Sequence, residues 1–420
     1  MLLLCSLLVI SRLAIKYSKF NCMVSGFLVK NTFLLLAMLN ISCGNSPRTN
    51  TVEKIHTATA AIKTGADNDQ AFLPMLVGKK VGIVTNQTGI RSDATHVVDF
   101  LLSKKINLQK IFAPEHGFRG TADNGEHVVD GKDPKSGLPI LSIYGDNKKP
   151  KAAQLQGLDV MLFDLQDVGA RFYTYISTLH YIMEACAENH IQLVVLDRPN
   201  PNGGMIDGPV LEKQFTSFVG MHPIPILHGM TIGEYAQMIN GEKWLKDGVQ
   251  CDLKIIPCLN YKKEMAYSLP VRPSPNLPND RAINLYPSLC LFEGTNVSVG
   301  RGTDMQFQIY GSPFLADTGF SFTPHPNLGS KEPPYNGQKC FGEDLSKGIR
   351  LSGINLQWLI KAYAETSDKT KFFTPFFTKL AGTEVLRKQI ESGLSETAIK
   401  QTWQPGLDNF RKIRSKYLLY

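Results

Sequence analysis

Short apolar runs alternate with helical patterns through the first half of the chain, and this alternation limits the possible folds more than any other feature. Four short, mostly apolar runs each end at polar residues, and they span 80–85, 108–113, 159–163 and 191–196. Helical periodicity follows the first and third runs, at 95–103 and 174–189. Because uninterrupted apolar strands need cover on both faces, the pattern predicts an α/β fold with an open, doubly wound and mainly parallel sheet.

The chain length and one proline-rich segment predict how this fold is divided. A chain of 420 residues suggests two or three domains. Four prolines fall within 270–278 (PVRPSPNLP), which we interpret as a linker or as the lining of a groove. We therefore predict a first domain over 71–272 and a second, smaller α/β or α+β domain over 273–420. Helices are expected near the end of the second domain, at 352–365 and 384–391.

The N-terminal segment is predicted to be a targeting sequence, with 1–42 as a signal peptide or leader. Its apolar runs, 1–10 and 33–41, are shorter than the roughly 20 residues of a spanning helix. The second run ends at a small residue before Cys43, which is typical of a lipoprotein signal. We predict lipidation of Cys43, a tether over 43–70 and a periplasmic, membrane-anchored protein. A plain signal peptide, an uncut anchor and a start at Met23 remain alternatives.

Charge and cysteine content exclude several classes of protein. The formal net charge is +8, but no run of five basic residues occurs, so we predict no nucleic-acid partner. Mild basicity could favour an anionic substrate, but we prefer to interpret it as a solvated surface of mixed charge. The cysteines beyond Cys43 are odd in number, widely spaced and without a CxxC pair, which predicts buried thiols, although Cys251 and Cys258 could pair.

Motif searches also narrow the chemistry. The first strand is followed by a loop with one glycine, and neither GxGxxG nor GxxxxGK[ST] occurs, so no nucleotide cofactor is expected. No GxSxG sequence supports a serine hydrolase. No close histidine motif supports zinc, although Asp164 and Asp167 with His116 or His127 remain an alternative metal site.

Polar residues at the strand ends predict where the chemistry lies. Ligands of open α/β sheets bind at the carboxyl ends of the strands. Four predicted strands end here in polar residues, namely Asn86-Gln87, Glu115-His116, Asp164 to Asp167 and Asp197-Arg198. We predict that this edge of the sheet is the active site.

The segment 113–120 (APEHGFRG) is the most informative. One proline and two glycines predict a tight loop around three chemically active groups. Glu115 could donate a proton, His116 could orient it or bind substrate, and Arg119 could bind an anionic group. The structural alternative is a turn closed by an ion pair between Glu115 and Arg119.

Two further segments supply candidates. In 163–173, Asp164 and Asp167 could act as base, hydrogen-bond acceptor or metal ligand, or could only cap the helix that follows. Glu293 stands at the start of a glycine-rich loop in 291–304 (LFEGTNVSVGRGTD), where Arg301 could grip a carboxylate. A hairpin with a surface ion pair is the alternative there.

Five strings from these regions resemble the exo-β-N-acetylmuramidases of bacterial peptidoglycan recycling: VGIVTNQTG, IFAPEHGFRG, LFDLQDVGARFYTYISTL, VLDRPNPNGG and LFEGTNVSVGRGTD. The similarity extends over roughly 75–420. It implies a Rossmann-like domain, a smaller C-terminal domain and an active-site cleft between them. It also implies release of N-acetylmuramic acid from the non-reducing end of peptidoglycan fragments, with no cofactor.

The resemblance assigns the glutamate of EHGFRG, here Glu115, as the preferred catalytic residue. Our candidates for the second catalytic group are Glu293, Asp164 and Asp167, in that order. The expected substrate-binding residues are Asn86, His116, Arg119, Gln166, Arg171, Tyr173, Arg301 and Asp304. Muramyl saccharides carry a lactyl carboxylate, which would be a partner for one of the arginines. A non-catalytic lipoprotein that binds cell-wall fragments and a metal-dependent hydrolase are the alternative functions.

Overall fold

A seven-stranded sheet forms the centre of the N-terminal half. The computed structural model describes residues 60–119 and 130–420. The strands are β1 (Val81–Thr85), β2 (Leu108–Ala113), β3 (Gly131–Lys132), β4 (Pro139–Ser142), β5 (Val160–Asp164), β6 (Gln192–Leu196) and β7 (Leu253–Ile256). They lie in the order β3-β4-β2-β1-β5-β6-β7, and every neighbouring pair is parallel except β3 with β4.

The order of the parallel strands confirms the predicted doubly wound sheet. Counted without β3, the strands lie in the order 3-2-1-4-5-6 of a Rossmann-type fold. The strand order reverses between β1 and β5, which pair in register from Val81–Val160 to Thr85–Asp164. A crevice therefore opens beyond the carboxyl ends of these two strands.

Helices cover both faces of the sheet, as the uninterrupted apolar strands require. The helices of this half are α1 (Asp69–Leu76), α2 (Val97–Ser103), α3 (Ala152–Leu155), α4 (Tyr175–Glu188) and α5 (Ile232–Gly241). Within β1, Ile83 packs into one core with residues of α1 and α2, and Val84 packs into the other core with residues of α4 and α5. Both faces are thus buried, which is why the strand lacks polar alternation.

Local sequence signals set the helix ends. A capping box is present at the start of α5, where Thr231 Oγ1 accepts from the Glu234 backbone N–H and Glu234 Oε2 accepts from the Thr231 N–H. The predicted helix at 95–103 begins two residues later than expected, at Val97, because His96 Nδ1 accepts the Val98 N–H at 3.2 Å and acts as the cap. The helix predicted at 174–189 is α4, with Thr174 just before its first residue.

The C-terminal part is smaller and of α+β type. It contains α6 (Asp280–Leu289), β8 (Ile309–Ser312), β9 (Ser321–Phe322), β10 (Cys340–Asp344), α7 (Gln357–Glu365), α8 (Pro375–Ala381), α9 (Val385–Glu391) and α10 (Glu396–Arg414). The three strands form an antiparallel sheet in the order β8-β10-β9. The predicted helices at 352–365 and 384–391 correspond to α7 and α9.

Contacts join the two parts tightly. Residues 60–420 form one compact unit. The last residue of the chain, Tyr420, donates its hydroxyl to Asp197 Oδ2 at 2.8 Å, next to the carboxyl end of β6. The boundary predicted at 272/273 stays a prediction.

The predicted leader and most of the predicted tether, including Cys43, lie outside the described residues. In the described ranges, no helix combines the length and the apolar character that a membrane span requires.

Candidate active site

A cavity of about 220 Å³ lies at the carboxyl ends of the parallel strands and draws its walls from both parts of the chain. The N-terminal half contributes Glu115, His116, Tyr144, Phe172 to Tyr175, Phe218 and Val219. The C-terminal half contributes Ser274, Asn276, Leu277, Tyr286, Cys290, Glu293, Arg301, Phe307, Phe376 and Leu380. The predicted proline-rich segment therefore forms part of the wall, through Ser274, Asn276 and Leu277.

Glu115 lies directly beyond β2 and is 7% exposed. Tyr144 donates its hydroxyl to Glu115 Oε1 at 2.7 Å, and Thr174 donates its hydroxyl to Oε2 at 2.6 Å. The loop that carries it is tight, as predicted: the Gly117 N–H donates to the Pro114 carbonyl at 2.9 Å, and both His116 and Gly117 have positive φ. The Glu115 carboxylate is thus held at the cavity wall by Tyr144, which follows β4, and by Thr174, which follows β5. These two strands lie on opposite sides of the point where the strand order reverses.

A chain of buried hydrogen bonds supports the Glu115 loop from below. Asn86 donates from Nδ2 to the Tyr175 hydroxyl at 2.6 Å, and this hydroxyl lies 3.4 Å from the Glu115 carbonyl oxygen. Tyr173 lines the cavity and donates its hydroxyl to the Pro273 carbonyl at 2.7 Å. Burial, reinforced by the Glu115 charge, raises the pKa of Tyr175 above its ordinary value, so its hydroxyl stays protonated.

Glu293 and Arg301 form an ion pair in the wall of the same cavity. A 3₁₀ turn, Cys290–Gly294, follows α6 and presents Glu293, whose Oε1 accepts from Arg301 Nε at 2.6 Å. The Cys290 thiol lies 3.6 Å from the other carboxylate oxygen. Burial favours the neutral guanidine, but the Glu293 carboxylate outweighs it and raises the pKa of Arg301. The ion pair is therefore part of the cavity, whereas the structural alternative placed it on the surface.

The terminal nitrogens of Arg301 are available for a ligand. Its Nε is the donor to Glu293, and Nη1 and Nη2 have no hydrogen-bond partner within residues 60–119 and 130–420. The guanidinium carbon lies 5.2 Å from the centre of the Phe307 ring, which also lines the cavity. Arg301 can thus donate two hydrogen bonds to an anionic group without losing Glu293.

The structure does not bring Asp164 into the cavity. Its side chain is fully buried and receives two hydrogen bonds from Arg198, from Nε at 2.6 Å and from Nη2 at 2.9 Å. This bidentate pair joins the carboxyl ends of β5 and β6 and satisfies both charges internally. Asp164 therefore has a structural partner in place of the expected contact with substrate.

Asp167 is also buried away from the cavity. Its Oδ2 accepts the Gly169 N–H at 2.6 Å and lies 3.9 Å from His228 Nε2, whereas Oδ1 lacks a partner among the described residues. Burial raises the pKa of Asp167 to about 7 and lowers that of His228 to about 3. Contrary to the structural alternative, neither Asp164 nor Asp167 caps α4, which begins at Tyr175.

Five predicted binding residues also lie outside the cavity wall. One is Asn86, which donates from Nδ2 to the buried Tyr175 hydroxyl. Arg171 is fully buried and donates to four backbone carbonyls, those of Pro209, Ile224, Leu380 and Ala381. Gln166 donates from Nε2 to the Pro199 carbonyl at 2.8 Å. Arg119 pairs with Asp133, not with Glu115, and Asp304 is exposed.

Sequence reasoning missed three residues that surround Glu115. Tyr144 and Thr174 bind its carboxylate, and Tyr175 supports its loop. Thr174 and Tyr175 lie in the string FYTYISTL, whose polar residues just before a helix were a usable signal. Tyr144 is far from any recognised motif, and its sequence environment gave no signal.

The structure shows no set of ligands for the alternative metal site in the described ranges. There, no three His, Cys, Asp or Glu side chains come close enough to hold a metal ion together. His127, one member of the proposed set, lies outside the described residues. The cysteines from Cys186 onward are free and buried, as predicted, and Cys251 and Cys258 do not pair.

Comparisons with known proteins cover nearly the whole described chain. The models of the N-terminal and C-terminal parts of the exo-β-N-acetylmuramidase NamZ match residues 81–281 and 284–420. The peptidoglycan β-N-acetylmuramidase NamZ of Bacillus subtilis (strain 168) is 38% identical in an alignment of 387 residues that covers 86% of this chain and 91% of the relative.

Two solved structures have the same fold, both of DUF1343 family proteins from Bacteroides fragilis NCTC 9343. The first is 45% identical with a TM-score of 0.81, and the second is 28% identical with a TM-score of 0.71. Each match covers 86% of this chain and 99% of the solved chain. With both family models and a relative of nearly full length in agreement, the chain belongs to the exo-β-N-acetylmuramidase family.

Proposed function

We propose that this protein is an exo-acting glycosidase that releases N-acetylmuramic acid from the non-reducing end of peptidoglycan fragments. The observation that carries the proposal is the presence of two carboxylates, Glu115 and Glu293, in the wall of one cavity. Glycoside hydrolysis commonly uses two such groups. The name of the Bacillus subtilis relative, a peptidoglycan β-N-acetylmuramidase, supports the same reaction.

Glu115 is our candidate for the general acid. Glu115 accepts hydrogen bonds from two hydroxyl groups, those of Tyr144 and Thr174, and a hydroxyl can accept a hydrogen bond as well as donate one. Tyr144 and Thr174 can therefore hold Glu115 in place both before and after it gives its proton to the departing oxygen. Glu293 is paired with Arg301 at 2.6 Å, and this ion pair makes it our candidate for the second, charged group in the reaction.

Arg301 is our candidate for recognising the lactyl carboxylate. Of the three arginines predicted for this role, Arg301 lines the cavity, whereas Arg171 is buried elsewhere and Arg119 pairs with Asp133. N-acetylmuramic acid differs from N-acetylglucosamine by its lactyl ether. A guanidinium edge facing the cavity is a physical basis for preferring the muramyl sugar.

The proposal is tested by assaying the purified protein on a chromogenic β-N-acetylmuramide and on the matching β-N-acetylglucosaminide. We expect turnover of the muramide and little of the glucosaminide. Equal activity on both substrates, or activity on neither, would contradict the proposal. Tight binding of muramyl saccharides without turnover would favour a binding protein instead.

The stereochemical course is a separate measurement. Carboxyl groups about 5 Å apart lead to retention, and a separation of roughly 6.5–9.5 Å leads to inversion. Participation of the substrate's acetamido group is a third route. Proton NMR of the first product anomer separates inversion from the other two courses.

We also propose that the protein is exported and anchored by a lipid on Cys43, and so acts in the periplasm. The apolar stretch and small residue before Cys43 support this. Fractionation of cells that express the full chain and its Cys43→Ser variant tests it. Movement of the variant from membrane to soluble fractions is expected, and an unchanged distribution would contradict lipidation.

A further inference from the structure

A second cavity, of about 300 Å³, adjoins the first. Glu293, Arg301 and Phe376 line both, so these three side chains form the boundary between the two spaces. The remaining walls of the second cavity come from the C-terminal part alone: Thr295, Val297, Ser298, Val299, Pro334 and Tyr335. The two cavities thus meet at one of the two candidate catalytic carboxylates.

The size of the first cavity limits what it can hold. At about 220 Å³ it lies below the ~300–1,000 Å³ of pockets that enclose drug-sized ligands. One amino sugar with its lactyl group is a suitable occupant, and a disaccharide needs more room. The group that departs from the anomeric carbon must start beside the catalytic carboxylates, and the space that continues beyond Glu293 is the second cavity.

The walls of the second cavity suit a sugar ring. Tyr335 and Phe376 supply apolar ring faces, and Phe376 is 38% exposed, so its ring is accessible. The Tyr335 hydroxyl donates to the Asn296 carbonyl at 2.7 Å, which fixes the ring. Phe314, half exposed, packs against Tyr335 with ring centres 6.0 Å apart and extends the aromatic surface outward.

We propose that the second cavity binds the sugar on the reducing side of the scissile bond, the one that departs when N-acetylmuramic acid is released. This inference rests on the proposed function and adds a second binding subsite to it. Variants in the wall of the second cavity should therefore impair turnover of a muramyl disaccharide more than turnover of a muramide whose leaving group is too small to reach Tyr335.

The test measures turnover of two substrates by the full-length protein. One is the disaccharide of N-acetylmuramic acid linked β-1,4 to N-acetylglucosamine, and the other is β-N-acetylmuramyl fluoride. Fluoride is too small to occupy the second cavity. Tyr335→Ala removes one aromatic face, and Tyr335→Phe is the matched control that keeps the ring. We expect Tyr335→Ala to lower kcat/KM about tenfold for the disaccharide, as for loss of one apolar contact, with little change for the fluoride.

A second pair of variants keeps the test valid if Tyr335→Ala fails to fold. Pro334 is exposed and borders the second cavity, so Pro334→Trp should fill the cavity and Pro334→Ala should not. Pro334→Trp is expected to impair the disaccharide selectively. An equal loss for both substrates, or no loss for either, would overturn the second subsite while leaving the glycosidase intact.

Two other outcomes would also count against the proposal. A disaccharide that carries L-alanine on its lactyl group distinguishes a sugar subsite from a peptide subsite. If Pro334→Trp impairs only this peptide-bearing substrate, the cavity binds a peptide stem and the proposal is wrong. If the wild-type protein turns over neither the disaccharide nor the fluoride, the proposed function itself fails.

Discussion

Arg301 holds Glu293 through its Nε at 2.6 Å and leaves its two terminal nitrogens free for a ligand within the described chain. One guanidinium thus fixes a candidate catalytic carboxylate and offers a binding edge to both cavities. This arrangement links substrate recognition to the charge of Glu293, because an anion bound at Arg301 alters the field at the carboxylate.

Replacing Arg301 should therefore weaken recognition of the muramyl sugar. Arg301→Lys keeps a cation beside Glu293 but loses the planar pair of donors. We expect calorimetric Kd values for N-acetylmuramic acid to rise at least about tenfold, the loss of a charge-assisted hydrogen bond, with little change for N-acetylglucosamine. The matched control is Arg387→Lys, the same substitution at an exposed pair in α9. An unchanged preference would remove Arg301 as the lactyl-binding residue.

Glu115→Gln should lower kcat at least about a hundredfold, because general-acid catalysis contributes a factor of roughly 10²–10⁴. Its melting temperature should stay close to that of the wild type, since glutamine can hydrogen-bond to both Tyr144 and Thr174. Glu264→Gln, at an exposed position, is the control. Turnover of Glu115→Gln near the wild-type rate would exclude Glu115 as the acid.

The two hydroxyls that hold Glu115 should affect kcat more than KM. Thr174→Val and Tyr144→Phe each remove one hydrogen bond to the carboxylate. A hydrogen bond to a charged group is worth about 1.5–3 kcal/mol, so each variant should reduce kcat about tenfold or more. Steady-state kinetics on the chromogenic muramide measure this. A rise in KM at unchanged kcat would show that these hydroxyls bind substrate and do not position Glu115.

Asp167 should make the folded protein less stable as the pH rises. Its pKa is about 7 in the folded protein against an ordinary 3.8, so between these values the folded state keeps a proton that the unfolded state has lost. The contribution of Asp167 to the free energy of unfolding therefore falls as the pH rises from about 4 to about 7. Neighbouring His228, with its pKa lowered to about 3, acts in the opposite direction up to its ordinary value of 6.5.

The comparison with Asp167→Asn isolates the Asp167 contribution, because other groups, including Asp197, titrate in both proteins. Urea unfolding of the two proteins at several pH values measures the difference. We expect the variant to gain stability relative to the wild type as the pH rises through this window. Parallel curves would show that Asp167 is ionised throughout.

Arg171 should stabilise the folded protein and should not bind substrate. Arg171→Met would leave four backbone carbonyls without their donor, two of them in α8 of the C-terminal part. We expect the free energy of unfolding to fall by at least about 3 kcal/mol. Arg387→Met, at an exposed ion pair, should cost less than about 1 kcal/mol. If Arg171→Met stays as stable as the wild type but binds muramic acid poorly, the residue contacts substrate after all.

The prediction of strands and helices succeeded where local signals are strong. The runs that became β1, β2, β5 and β6 are mostly apolar, and Thr231 and Glu234 form a reciprocal cap that depends on four consecutive residues. The turn at Glu115 also follows from local chemistry, since Pro114 and Gly117 set its backbone. Such features need no knowledge of the rest of the chain.

The prediction of side-chain partners was less successful. Asp164 and Asp167 stand at a strand end just as Glu115 does, and no local signal distinguishes them. Arg198 reaches Asp164 from a strand 34 positions further on, and this contact converts a candidate catalytic acid into half of a buried ion pair. Arg171 looked like a ligand for an anion and is instead a donor to main-chain carbonyls.

The sequence by itself determined the parallel sheet, the sheet edge at which the candidate site lies and the turn that presents Glu115, because each depends on the periodicity or turn chemistry of neighbouring residues. The tertiary structure alone decided which charged groups share a cavity. Glu293 and Arg301 join Glu115 there because the C-terminal part folds against the sheet, while Asp164, Asp167 and Arg171 are enclosed by it. A charge needs a partner or water wherever the fold places it, and that placement depends on contacts between residues far apart in the chain.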